Sequence, residues 1–116
     1  MITRANKELS VDKWKGIIEK LRFILEEPNS EKQERLSYDV EYLSRCGYCH
    51  EFNNSLDCGC AECPLFADGY CENFTSPNVL FWQFDSAFIG RDYEHALRLA
   101  ERMLARIQQE PLKEEW

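Results

Sequence analysis

The chain has 116 residues and a formal net charge of −7. This length is typical of one domain, and we expect a single domain over residues 1–116. No apolar run approaches the roughly 20 residues that cross a bilayer, and the first residues lack the apolar block of a secretory signal. We therefore expect a cytoplasmic protein with no membrane partner, in a reducing compartment where clustered cysteines favour metal over disulfides.

The first predicted helix begins at Ser10, a favourable N-cap residue, and the residues before it, 1–9, are expected to fray. It ends before Pro28, because the residue that precedes a proline is pushed out of the helical region. One apolar stripe at helical spacing marks its buried face. The stripe consists of Trp14, Ile17, Ile18, Leu21, Ile24 and Leu25.

The second predicted helix begins with a capping box at Ser30. Gly47 fits its C′ position, which would place Cys46 on the last turn. The short link between the two helices predicts an antiparallel helical hairpin over residues 10–46. The buried face of the second helix is expected to contain Leu36, Val40 and Leu43.

Two further helices are predicted over residues 76–110, followed by a tail at 111–116. The first has a Ser-Pro start at Ser76 and ends at Gly90. Its run of aromatic and aliphatic residues covers more than one face, so we expect it to be largely buried or partly used for binding. Asp92 can cap the last helix, whose apolar stripe is Tyr93, Ala96, Leu97, Ala100, Met103, Leu104 and Ile107.

All six cysteines lie in a turn-rich segment, residues 46–75, which we interpret as a metal loop. Two Cys-x-x-Cys pairs separated by ten residues supply the four thiolates of a tetrahedral zinc shell. Zinc binding is coupled to folding, so the metal would order a loop that has no core of its own. The candidate zinc ligands are Cys46, Cys49, Cys60, Cys63 and Cys71.

Several arrangements of these thiols stay open. Cys71 replaces one member of the second pair in one alternative, and all six thiols hold two metal ions in another. Four thiolates in a loop also suit an iron–sulfur cluster, so an iron–sulfur or redox-active protein is the alternative to structural zinc. Cys58 is the least favoured ligand. His50 and His95 are interpreted as ordinary loop and surface histidines, because enough sulfur is available.

The order of these motifs gives the chain a family likeness. Cys-x-x-Cys is followed by Cys-x-x-Cys-Pro-Leu up to Leu65, by Tyr70-Cys71, by an aromatic helix and by an amphipathic helix. This order resembles that of small uncharacterised cysteine-rich proteins of prokaryotes and phages, mainly over residues 46–104. The resemblance implies a zinc-binding fold and no particular substrate.

Together these elements predict a mainly α fold, in which a helical hairpin and two C-terminal helices pack around an irregular cysteine-rich zinc loop. Residues 46–90 contain six Asp or Glu and no Lys or Arg, so this segment should repel phosphate. An acidic surface with exposed aromatic side chains is typical of a protein-binding face. We expect a small structural-zinc protein that binds a basic protein, such as a phage-type inhibitor or adaptor of a nucleic-acid-handling partner. The aromatic residues of the segment 46–90 are Tyr48, Phe52, Phe66, Tyr70, Phe74, Phe81, Trp82, Phe84 and Phe88.

The sequence contains no catalytic motif, and a sulfur-filled zinc shell leaves no position for a substrate, so we expect no enzyme. Arg98, Arg102 and Arg106 form a basic stripe on the last helix. We interpret it as a solvated face whose charge is relieved by Glu94, Glu101 and the acidic segment. Nucleic-acid binding through this stripe is the weaker alternative.

Overall fold

A computed structural model of the chain describes residues 1–40, 64, 70 and 79–113. The helices in these ranges confirm the expected mainly α fold. A parallel β-bridge between Ile2 and Leu112 is the only strand-like pairing among the described residues. The four helices of these ranges are α1 (Arg4–Glu26), α2 (Ser30–Ser37), α3 (Leu80–Ile89) and α4 (Tyr93–Gln108).

The N-cap of helix α1 lies seven residues earlier than the sequence predicts. Thr3 is its N-cap, with the Oγ1 atom accepting a hydrogen bond from the backbone N–H of Asn6 at 3.4 Å. Ser10 lies inside the helix, where its buried hydroxyl donates to the carbonyl of Asn6 one turn earlier, at 2.9 Å. The predicted start at Ser10 and the predicted fraying are wrong, because Ile2 is fully buried and holds the start of the chain on the core.

The end of α1 agrees with the sequence, since the helix stops at Glu26, ahead of Pro28. Its predicted stripe is buried except for Leu25, which is 38% exposed. The N-cap of α2 is Asn29 instead of Ser30, and its side chain accepts from the N–H groups of the next turn at 2.9 and 3.1 Å. Asparagine and serine are equally good N-caps, so composition alone does not choose between these neighbours.

Helix α2 ends at Ser37, so the predicted continuous helix to Cys46 is wrong. The Ser37 hydroxyl donates to the carbonyl of Glu34, and the following N–H groups make i→i+3 bonds that tighten the last turn. Gln33 bonds the carbonyl of Glu27, whereas Lys20 bonds that of Asp39, so α2 folds back along α1. Residues 41–46 lie outside the described ranges.

Helix α3 begins at Leu80, because Val79 is extended and acts as its N-cap without a side-chain hydrogen bond. The predicted start at Ser76 is therefore wrong; residues 76–78 themselves lie outside the description. The predicted end at Gly90 is confirmed. The left-handed residue of this turn is Arg91, with φ of 64°, and the N–H groups of Arg91 and Asp92 close the turn on the carbonyls of Phe88 and Ala87.

Asp92 caps α4 as the sequence predicts, with Oδ1 accepting from the N–H of His95 at 3.2 Å. The core lies where α1, α3 and α4 meet. Trp14 packs edge-to-face against Phe84, with ring centroids 5.3 Å apart, and against Phe81 at 6.1 Å. None of the described helices is long and apolar enough to cross a membrane. The buried residues of α4 include Leu99, which the predicted stripe omitted: Tyr93, Ala96, Leu99, Ala100, Met103 and Ile107.

Candidate functional site

Apart from Pro64 and Tyr70, the predicted metal loop lies outside the described residues. Within the ranges that the structure does describe, no group of three or more His, Cys, Asp or Glu could hold a metal ion. The zinc site and its choice of ligands therefore stay predictions. The residues concerned are Cys46, Cys49, His50, Cys58, Cys60, Cys63 and Cys71.

Two residues next to the predicted ligands are described. Pro64, which follows Cys63 in the sequence, is half-buried and helical. Tyr70, which precedes Cys71, packs against the hydrophobic core, and its carbonyl accepts a hydrogen bond from the N–H of Phe81 at 2.9 Å. The cysteine-rich part of the chain is thus tied to the first turn of α3 at Tyr70.

The aromatic residues of α3 mainly serve the core. Phe84 is 1% exposed, and its ring stacks on that of Phe88 with centroids 6.0 Å apart. Phe81 and Trp82 are half-buried, and Lys13 places its ammonium 5.8 Å from the ring centre of Phe81. In the described part of residues 46–90, little aromatic ring surface is therefore exposed for contact with a partner.

The arginine stripe of α4 is largely paired with carboxylates. Arg98 forms an exposed ion pair with Glu94 at 3.0 Å, and Arg106 pairs with Glu110 at 3.1 Å. The Arg98–Glu94 pair agrees with the interpretation of the stripe as a face relieved by neighbouring glutamates. Glu101 instead pairs with Arg22 of α1 at 3.5 Å, and Arg106 is only 14% exposed and pairs with Glu110, so this end of the stripe is not a solvated face. His95 is exposed, in agreement with its interpretation as a surface histidine.

A buried charge cluster that no sequence pattern predicts joins the start of the chain to the end of α4. The Glu110 side chain is 3% exposed and forms ion pairs with the Met1 ammonium, at 2.9 Å, and with Arg106. Burial opposes ionisation of Glu110, but the ammonium and the guanidinium outweigh it and lower the pKa of this carboxyl. Lys7 adds a hydrogen bond to the Glu110 carbonyl at 2.8 Å.

A second polar cluster links α2 to the α3–α4 turn. Arg91 reaches Glu34 at 2.6 Å, and the Tyr38 hydroxyl donates to the same carboxylate oxygen at 3.2 Å. The hydrogen bond to Glu34, followed by the negative charge of that carboxylate, raises the pKa of Tyr38. Since the left-handed conformation of a non-glycine residue costs about 1–2 kcal/mol, this ion pair helps to hold Arg91 in place.

Among the described residues, open grooves lie along α1. One of about 500 Å³ lies between α1 and α4 and is lined mainly by charged and polar side chains. Another of about 430 Å³ lies between α1 and α2 and has an apolar floor. Neither brings together a nucleophile, a base and an orienting group, so their chemistry is that of binding surfaces.

No protein-family model, curated protein or solved structure matches the chain. The fold therefore stands on the described helices, and the function is argued from the residues themselves.

Proposed function

We propose that the chain is a small acidic protein with a structural zinc site that acts by binding a basic protein partner. The observation that carries the proposal is the composition of residues 46–90, which hold all six cysteines and no Lys or Arg. Thiolate pairs at this spacing suit a closed tetrahedral site, which is structural because no ligand position is left for a substrate. A segment of this charge steers a basic partner toward it during encounter.

The described helices support the proposal by offering a frame for this segment. The core of α1, α3 and α4 is built from described residues, with Trp14 at 2% and Phe84 at 1% exposure. Tyr70 attaches the cysteine-rich part to that core through the N–H of Phe81. A packed frame of this kind limits the conformational entropy that a binding surface loses on association.

The arginine contacts favour a protein partner over nucleic acid. Phosphate binding needs cations that can displace counterions, and each phosphate contact uses one of them. Arg98 and Arg106 are already paired with Glu94 and Glu110. More specifically, we propose that the chain is a phage-type inhibitor or adaptor. Its partner would be a nucleic-acid-handling protein that binds nucleic acid through surface Lys and Arg residues.

The cysteine count favours one second candidate. A four-cysteine shell leaves two of the six thiols over, and such thiols suit an iron–sulfur or redox-active protein. Anaerobic purification separates the two candidates, since an iron–sulfur protein is brown and absorbs visible light whereas a zinc protein is colourless.

Affinity capture from the native host tests the proposed function. We expect the chain to recover a basic protein, and we expect recovery to fail when four of the five acidic side chains of residues 46–75 are changed to their amides. A control variant with the same change in charge, made on exposed faces of α1 and α2, should still recover it. Recovery of nucleic acid alone, weakening as salt rises, would contradict the proposal. The test variant changes Asp57, Glu62, Asp68 and Glu72, and the control changes Glu8, Asp12, Glu26 and Glu31.

A further inference from the structure

The groove between α1 and α2 has the composition of a docking site. Ile24, which is 1% exposed, and the half-buried Leu36 line it together with Phe23. Phe23 is 61% exposed, although it lies directly beside the core residue Ile24 in the sequence. The groove has a volume of about 430 Å³, within the range of about 300–1,000 Å³ that holds small ligands or anchoring side chains.

The rim of the groove carries a net charge of −1. It contains the carboxylates of Glu19 and Asp39 and the ammonium of Lys20, which keeps its charge and donates a hydrogen bond to the backbone carbonyl of Asp39 at 2.7 Å. The groove therefore offers an apolar wall and floor beside two carboxylates and one ammonium, and neither carboxylate forms an ion pair within the described part of the chain.

We propose that this α1–α2 groove docks a basic amphipathic segment of a protein partner, with an apolar side chain against Phe23 and a Lys or Arg beside Glu19 and Asp39. The inference rests on the proposed function for the class of partner, and it adds a contact surface outside residues 46–90. Exposed aromatic side chains beside complementary charge are the usual anchors of such interfaces. A second copy of the chain is a poorer occupant, because two molecules of net charge −7 repel each other.

Titration of the full chain with two designed peptides tests the proposal. One is a short amphipathic helix of leucine and lysine, and the other carries glutamate in place of each lysine. We expect the lysine peptide to shift the NMR signals of Phe23, Ile24, Leu36 and Asp39 and to bind more weakly as salt rises. The glutamate peptide should cause no such shifts.

Variants give the sharper comparison. Phe23→Ala should weaken binding of the lysine peptide by about tenfold, as truncation of an anchor does, whereas Ile89→Ala, at an equally exposed apolar residue outside the groove, should not. Glu19→Gln combined with Asp39→Asn should weaken binding more than Glu26→Gln combined with Glu31→Gln.

Equal binding by each variant and its control, or equal binding of the two peptides, would overturn the docking proposal. Concentration-dependent self-association that Phe23→Ala abolishes would overturn it as well, by assigning the groove to a second copy. These outcomes leave the proposed function standing, because its capture experiment changes acidic residues of residues 46–75 and none of the groove.

Discussion

At the residue scale, Glu110 is the only buried charged residue in the described part of the chain. Its carboxylate is buried between the Met1 ammonium at 2.9 Å and Arg106 at 3.1 Å. A buried carboxylate is stabilising only when an opposite charge lies directly beside it. Removal of one partner leaves the other charge uncompensated where water solvates it poorly. The pair also fixes the bridge between Ile2 and Leu112, which lies beside it in the sequence.

Glu110→Gln should lower the free energy of unfolding by about 1–3 kcal/mol, because the amide keeps the shape but removes the buried negative charge that pairs with both the Met1 ammonium and Arg106. Urea unfolding followed by circular dichroism measures the change. Glu94→Gln is the matched control, since the Glu94–Arg98 pair is exposed and such pairs contribute at most about 1 kcal/mol. Equal effects of the two changes would show that the Glu110 cluster is not special.

The lowered pKa of Glu110 gives the cluster a pH dependence with a definite sign. A carboxyl whose pKa is lower in the folded state contributes stability above its unfolded pKa, near 4.5, and loses it as pH falls through the folded value. The stability difference between the wild type and Glu110→Gln should therefore be constant from about pH 5 to 7 and shrink in more acidic solution. A difference that grew on acidification would contradict the assignment. Unfolding curves across this pH range measure it.

At the element scale, helix boundaries depend on which of several capping residues meets a tertiary anchor. Thr3 caps α1 because Ile2 beside it is buried, and Ser10 is left to bond back within the helix. The α3–α4 turn follows the same principle. Gly90 ends α3, but Arg91 takes the left-handed position, held by its ion pair with Glu34.

One substitution at Thr3 and one at Ser10 test which of these two residues is the N-cap of α1. Thr3→Ala should destabilise the protein by about 0.5–2 kcal/mol, as loss of an N-cap does. Ser10→Ala should be close to neutral, because alanine has the higher helix propensity and the lost hydroxyl bond is made inside the helix. Thermal unfolding measures both, and the reverse order would place the N-cap at Ser10.

Much of the helical frame could be predicted because its signals are local. Pro28 and Asp92 act on their own turns whatever lies around them, and both helix boundaries agree with the structure. Competing caps and distant pairings could not be predicted. Asn29 stands next to Ser30 with equal capping strength, and the contact of Met1 with Glu110 joins residues that no periodicity relates. The metal loop remains the strongest sequence prediction, since thiol spacing alone carries it.

At the scale of the whole molecule, the basic residues and the cysteines lie in different parts of the chain. The basic residues all lie in residues 1–45 and 91–116, where Arg22, Arg91, Arg98 and Arg106 pair with glutamates of the helical frame. Residues 46–90 hold the six cysteines and no basic residue, and the described part of this segment joins the frame through Tyr70 and α3. Such a division suits a frame that presents an acidic surface to a basic partner.

Metal analysis of the purified full chain, together with cysteine substitutions, tests the central claim most directly. We predict a colourless protein with one zinc ion per chain, loss of the zinc in Cys49→Ser and retention in Cys58→Ser. Chelation of the zinc should also lower the temperature of unfolding, because metal binding is coupled to folding. A brown iron-containing protein, or a metal-free chain whose unfolding a chelator does not alter, would contradict the account.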